Sequence, residues 1–389
     1  LAEKKEVNSI SRWQYLRKLQ KTRRRRLLLL PLLAVLLAPI FALLWFAKSG
    51  PVSQAKQPLK LLVEEQGILI RVGGDIMIAG AMKEQILSQG PYFPFHQVSN
   101  FFSSADFSYA GLETPFADTG SPLPGKPLTL RAAPETSEAL AYSGLLMLGL
   151  ASDHMMDYDE AALNQTISLL SEKGIGIMGA GENVAAAAKP YSFSCRGLRI
   201  ALLDFCENAG IFFSYQYPKT LAAKENEAGI ANLEEEAVIS TILANRRNHD
   251  LIILNLHWGQ EYSSYMNTAQ RETAHRFIDA GADVIVGRHS HCLQGIEVYN
   301  NGLIIYSLGN LLNVQNNTKE AREAALLELE LTGLGVKNAR LYPLSLSLQG
   351  IPELSVGQEA ADIMARIRTL SVGMNVTFIT EKECLKIIQ

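Results

Sequence analysis

The 389-residue chain reads as an α/β protein, and three observations lead there. Short, mostly apolar runs that read as strands recur at residues 68–72, 107–112, 145–150, 250–256 and 282–286, the last three with the pattern of a strand buried in the interior. Helices are expected between them, at about 79–88, 135–143, 158–172, 233–247 and 268–280, with Ala162, Ile167 and Leu170 suited to the apolar face of the third. Each run also leads within three residues to a carboxylate or an imidazole, which lines acids and imidazoles along one edge of a sheet. That edge, at the carboxyl ends of the strands, is where an open α/β sheet keeps its ligand crevice.

The first run stops at Gly73-Gly74-Asp75, where glycines let the backbone turn tightly and set Asp75 over the sheet edge. A plain turn with Asp75 capping the next helix is the alternative. The second run delivers Glu113 just before Thr114-Pro115, and the loop beyond carries Lys126 and Arg131, candidates for gripping an anion. The third ends in Ser152-Asp153-His154, a carboxylate able to bind metal beside an imidazole able to protonate a leaving group. Asp157 is expected to cap the helix over 158–172. Residues 175–183 form a strand and glycine turn, but lack the third glycine and the following acid of a dinucleotide fingerprint.

Residues 191–193 and 198–205 read as a hairpin turning at Arg196-Gly197, and a second hairpin crosses Asn300-Asn301-Gly302. Between them the fourth run delivers His257, and the fifth ends in Gly287-Arg288-His289-Ser290-His291. In extended chain, positions i and i+2 point to one side, so His289 and His291 can converge on a metal ion. Two polar loop histidines are the plainer alternative. Segments 325–331 and 339–344 and a helix near 357–370 complete a sheet without a chemical motif.

Charge is unevenly spread. Residues 1–47 hold ten Lys/Arg and two Asp/Glu; removing them from totals of 36 and 39 leaves 26 basic against 37 acidic residues. So acidic a body argues against nucleic acid as partner, because phosphate-backbone affinity rests on Lys and Arg. The basic head runs through Arg23–Arg26 into residues 27–47, 21 residues without a charged side chain, long enough to cross a bilayer as a helix. A cleaved signal peptide is the rival, though its apolar core is usually about 7–15 residues. The expected order is a cytoplasmic tail (1–26), a lipid-spanning anchor (27–47), a linker (48–66) and an extracytoplasmic domain (67–389), which makes a single-pass protein of the cell membrane. Four cysteines are too few for a disulfide framework, although Cys195 and Cys206 could bridge; Cys292 is read as core.

Asp75, Glu113, Asp153, His257, His289 and His291 together make a ligand set, with His154 beside it as general acid. Carboxylates and imidazoles in this number suit divalent metal, two ions bridged by one carboxylate, with Mn, Zn or Fe as candidates. The order of motifs also resembles a known family. Gly74-Asp75-Ile76-Met77, Leu112-Glu113-Thr114-Pro115, His154 with Asp157-Tyr158, Gly179-Ala180-Gly181, His257-Trp258-Gly259-Gln260-Glu261-Tyr262, and Gly281-Ala282-Asp283 through Tyr306-Ser307-Leu308-Gly309-Asn310 resemble the CapA capsule-synthesis family. That family is associated with poly-γ-glutamate synthesis and is similar to calcineurin-like metallophosphoesterases. The resemblance covers roughly residues 68–315 and implies a β-sandwich flanked by helices, a two-metal centre, and a membrane-tethered role on an anionic capsule polymer or its precursor.

Three departures stand out. Gly111 replaces the family's usual Asn before Leu-Glu, Ser152-Asp153 replaces Asn-Asn before His154, and Arg288 and Ser290 stand in the usual Gly-His-His-Pro-His. Arg288 is therefore a candidate either to bind an anion or to crowd the metal. Two functions follow: a metal-dependent hydrolase acting on a phosphoester or on an amide of the polymer, or a non-catalytic polymer-binding component of a membrane synthase or export complex.

Overall fold

In the computed structural model, which describes residues 67–315 and 317–388, strand Ile68–Met77 lies inside a ten-stranded sheet. On one side it pairs in parallel with Phe107–Leu112, which continues through Met147–Gly149 to Gly176–Met178. On the other it pairs antiparallel with Glu323–Thr332 and, further out, Gly335–Leu346 and Cys384–Ile388. A six-stranded sheet carries Leu198–Cys206, Leu251–His257, Val284–Arg288 and Gly302–Ile305 in parallel, with antiparallel hairpin strands at both edges. The two predicted hairpins form, and Asn300 and Asn301 both adopt positive φ in the second turn.

Side-chain parity explains the layering. Ile200, Leu202, Leu251, Ile253, Val284 and Val286 face Ile68, Ile70, Val72, Tyr109 and Met147 across the interior between the sheets. Their immediate neighbours Ala201, Leu203, Ile252, Leu254 and Ile285 turn outward, onto helices Glu235–Arg246 and Thr268–Asp279 through Val238, Ile242, Ala274 and Phe277. Ile76, Ala110, Leu112 and Leu148 likewise meet Met82, Leu140, Leu163 and Leu170 on the far face of the first sheet. Strands covered on both faces are apolar at nearly every position, which is why runs such as 251–254 and 284–286 show no alternation in the sequence. The result is the mixed α/β sandwich flanked by helices.

The same inward parity carries polar residues at the carboxyl ends of the strands. Continuing 200–202 reaches Asp204, 251–253 reaches Asn255 and His257, 284–286 reaches Arg288, and 107–109 reaches Gly111 and then Glu113. Strand Ile68–Met77 is the exception. Counting by two from Ile70 and Val72 misses Asp75, but the register shifts between Val72 and Asp75, and this bulge turns Asp75 inward while Ile76 faces the helices.

The tail, anchor and linker expected over 1–66 lie outside the described residues, among which no helix is long and apolar enough to cross a membrane. The four cysteines carry free thiols. Cys195 and Cys206 sit at opposite ends of their hairpin, since Cys195 pairs with Leu198 beside the turn.

The bulge depends on Gly74, where a Cβ would lie 1.8 Å from the carbonyl oxygen of Gly309. Backbone cannot yield as a side chain would, so Gly74→Ala should cost about 3 kcal/mol, at the upper end of overpacking effects. Urea denaturation should show a lower midpoint at unchanged slope; an unchanged midpoint would mean that the two backbones have room to separate.

Candidate metal centre

Every acid and imidazole of the expected ligand set reaches the carboxyl edge of the sandwich, and the reach of each has a local cause. Glu113 follows strand Phe107–Leu112 directly, and His257 ends strand Leu251–His257. Asp153 and His154 come from the loop beyond Met147–Gly149. His289 and His291 follow strand Val284–Arg288, but not in extended chain. Both have positive φ, 90° and 56°, so the pair converges through a tight loop, with ring centroids 6.2 Å apart.

Ligand atoms of Glu113, His257 and His289 lie within 4.8 Å of one another, as do those of Asp75, Glu113 and His291, and those of Asp153, His154 and Glu261. Glu113 is common to the first two groups. Both of its oxygens are buried and lack a hydrogen-bond partner among the described residues. Burial, with the Asp75 and Asp153 carboxylates close by, pushes its pKa well above the usual carboxylate range. The Nδ1 of His289 is likewise buried without a hydrogen-bond partner among the described residues, 4.0 Å from Asp153. A divalent ion would satisfy both orphaned groups, and mixed carboxylate and imidazole donors suit Mn, Fe or Zn. The residues therefore fit a metal ion.

The other members are held from behind. Asp75 accepts from the His289 amide (2.8 Å) and from Arg288 Nη1 (3.1 Å). Burial pushes its pKa up, but Arg288, His257 and His291 outweigh that and hold it below the ordinary value. The Asn310 amide nitrogen donates to the carbonyls of His291 and Ala321, so its oxygen accepts from His291 Nδ1 (3.0 Å) and leaves Nε2 a lone pair. His257 Nε2 lies 2.9 Å from Asp153, while burial and the neighbouring His289 and Arg288 push its pKa down to about 3. Burial also opposes ionisation of Asp153, yet the His257 hydrogen bond and nearby imidazoles hold it well below the ordinary range.

Three expected roles change in detail. Asp157 does not cap helix Asp159–Glu172; Tyr158 holds the cap position without a side-chain bond. The Asp157 carboxylate instead accepts from His154 Nδ1 (2.7 Å), Leu130 N (2.6 Å) and Lys126 Nζ, because the loop turns it inward before the helix begins. The Lys126 side chain is consequently buried, also donating to the Asp153 carbonyl (2.6 Å). Arg288 is fully buried between Asp75 and Asp204. Arg131 stands apart from these groups, exposed over the Tyr158 ring at 4.1 Å.

Residues 69–315 match the family described as bacterial capsule synthesis protein PGA_cap. The chain belongs to that family. Similar proteins include the PGA biosynthesis protein CapA of Bacillus subtilis, 29% identical over 329 residues, or 84% of this chain and 82% of the relative. The capsule biosynthesis protein CapA of Bacillus anthracis is 29% identical over 333 residues, 84% of this chain and 77% of that protein. Among solved structures, a 5'-nucleotidase from Candida albicans aligns with a TM-score of 0.39 at 10% identity, covering 85% of this chain and 62% of that one.

Within this family member, the sequence assigned no role to Asp204 or Asn255, and Asn310 entered only as part of a motif. Asp204 accepts from Ala151 N (2.7 Å), Asn255 Nδ2 (2.6 Å) and Arg288, and burial pushes its pKa up to about 6. Its signal was available: a lone acid in the apolar run 200–206, at the inward parity of the strand.

An ion bound at Glu113 should stabilise the fold through mass action, about 2.7 kcal/mol at a hundredfold excess over Kd. Adding Mn or Zn should therefore raise Tm by several degrees, and Glu113→Gln should abolish that rise. Lowering the pH should shrink it, because protons compete for a carboxyl whose pKa is already raised. An equal rise in parent and variant would exclude Glu113 as a ligand.

Proposed function

We propose that this protein is a membrane-tethered, extracytoplasmic, metal-dependent hydrolase of capsule poly-γ-glutamate or its precursor, working beside the membrane subunits that make or export the polymer. The observation that carries the catalytic part is Glu113, a buried carboxylate without a hydrogen-bond partner among the described residues, shared by two groups of metal-competent side chains. Family membership supports the polymer, and the uncharged stretch 27–47 behind a basic head supports the tether, with the N-terminus inside the cell.

The ion would be held by Glu113, Asp75 and His291, with His289 adjoining. When bound, it supplies Lewis acidity and an activated water. This chain's own residues supply the rest. Asp157 fixes the His154 ring through Nδ1, so the opposite nitrogen is the one able to give a proton to the departing atom as the scissile bond breaks. Lys126 secures Asp157 in turn, which gives it a positioning role. Arg131, exposed, keeps the role of gripping the polymer's carboxylates. Polymer binding without hydrolysis is the second reading, and the buried Arg288 at Asp75 and His257 favours it by filling part of the site with a fixed cation.

His154→Ala should leave metal content unchanged and lower turnover of a γ-linked glutamate polymer roughly 10²–10⁴-fold, the usual worth of a general acid. Unaltered turnover would remove His154 from the reaction. A metal-loaded parent that binds the polymer but never shortens it would end the hydrolase reading in favour of the second one. For the tether, an external protease should reach residues beyond 66 in intact cells stripped of their wall; full protection would reverse the orientation.

A further inference from the structure

Arg288 raises a question of how many cations the centre accepts. Its guanidinium is buried at the inner end of strand Val284–Arg288. Nη1 donates to Asp75 Oδ1 (3.1 Å) and to His257 Nδ1 (2.7 Å), and Nη2 donates to the Ala151 carbonyl (2.6 Å) and to Asp204 (3.2 Å). The space it occupies exists because residue 111 is glycine. A Cβ there would lie 2.5 Å from Arg288 Cδ, 2.8 Å from its Nε and 2.8 Å from Asp75 Oδ1. Gly111 and Arg288 are thus two halves of one steric arrangement.

The hydrogen-bond roles have a consequence for His257. Guanidinium has donors only, so His257 Nδ1 must accept, and the ring proton sits on Nε2, facing Asp153 at 2.9 Å. A neutral imidazole so arranged has no lone pair for an ion. Offering Nε2 to a metal would move the proton to Nδ1, where it would oppose an Arg288 N–H only 2.7 Å away. Arg288 therefore takes His257 out of the ligand set and covers one oxygen of Asp75, while Glu113 and His291 Nε2 stay free.

We propose that the Arg288 guanidinium stands in for one metal ion, so that the centre binds a single divalent cation at Glu113, His291 and Asp75. This rests on the reading that the cluster holds metal at all, and it replaces the pair of ions that the count of ligands in the sequence suggests. The fixed charge stays in place whether or not the cation is bound, and it leaves His257 as a positioning residue that orients Asp153.

Equilibrium titration of the full chain in detergent with Mn²⁺, followed by elemental analysis and electron paramagnetic resonance, tests it. The expected result is one equivalent with the spectrum of an isolated Mn²⁺. His257→Asn should retain that equivalent, and Arg288→Met/Asp204→Asn, which removes the guanidinium together with its buried counter-ion, should admit a second, spin-coupled one. Two coupled equivalents in the parent would overturn the single-ion proposal and leave the metal-centre reading intact. Loss of the ion in His257→Asn would overturn it too, by making His257 a ligand. No equivalent in the parent would overturn both. Should the double variant fail to fold, the parent and His257→Asn still decide.

Discussion

Asp75, Glu113, Asp153 and Asp204 converge on the seam between the two sheets, and the whole centre depends on how their charge is met. Removing a carboxylate from water costs several kcal/mol even after the protein relaxes, so such a group must be paired, hydrogen-bonded or protonated. Arg288 meets two of them at once. It holds Asp75 ionised and limits the upward push that burial exerts on Asp204, which still reaches about 6. Asp153 is met by His257. Glu113 alone of the four accepts no hydrogen bond among the described residues, with His257 Nε2 no nearer than 4.0 Å, and burial beside Asp75 and Asp153 raises its pKa. Deleting Arg288 by itself would strand two buried carboxylates, a change that typically costs about 3–5 kcal/mol.

Geometry made this concentration of charge possible. Parallel strands pack their inward side chains in layers, and the apolar layers of Ile, Leu and Val end where the strands end. Beyond them the same parity places Asp204, Asn255, His257 and Arg288 in the space between the sheets. The sheets hold these groups against a rigid interior, so their mutual distances are set by the backbone and not by flexible loops. Asp75 joins them through a bulge, and the close approach of Gly74 to Gly309 is what the bulge requires.

Much of this was legible in the sequence, for a definite reason. Doubly buried strands announce themselves as unbroken apolar runs, and the residue that follows each run falls at the open edge, so Glu113, His257 and the 288–291 segment could be placed by pattern alone. What could not be read was everything that depends on a departure from regular geometry. The alternation rule puts Asp75 on the wrong face unless the bulge is known. The i, i+2 rule brings His289 and His291 together for the wrong reason, since both residues are left-handed. Asp157 precedes a helix and looks like a cap, but a loop cannot be oriented from spacing, and its carboxylate turns to His154. Asp204 was passed over because one acid in an apolar strand carries no motif; its meaning lies in Arg288, 84 residues away.

The uneven satisfaction of these groups also bears on what the fold is arranged to do. His291 is oriented by Asn310, His154 by Asp157, Asp153 by His257, and Asp75 by a backbone amide and Arg288. Each fixed side chain has lost its rotational freedom during folding, so nothing further is lost when a ligand arrives. Glu113 sits among them with both oxygens unpaired, in a fold that elsewhere meets its buried acids with hydrogen bonds or cations. A stable protein retains a defect of that kind when another requirement outweighs its cost, and strain or unmet polarity at a cleft is the usual mark of function. The electrostatics give the missing partner its sign: with one fixed cation against four acids, the group that completes the centre is positive. Its entry at Glu113 would turn the least stable feature of the seam into its strongest contact.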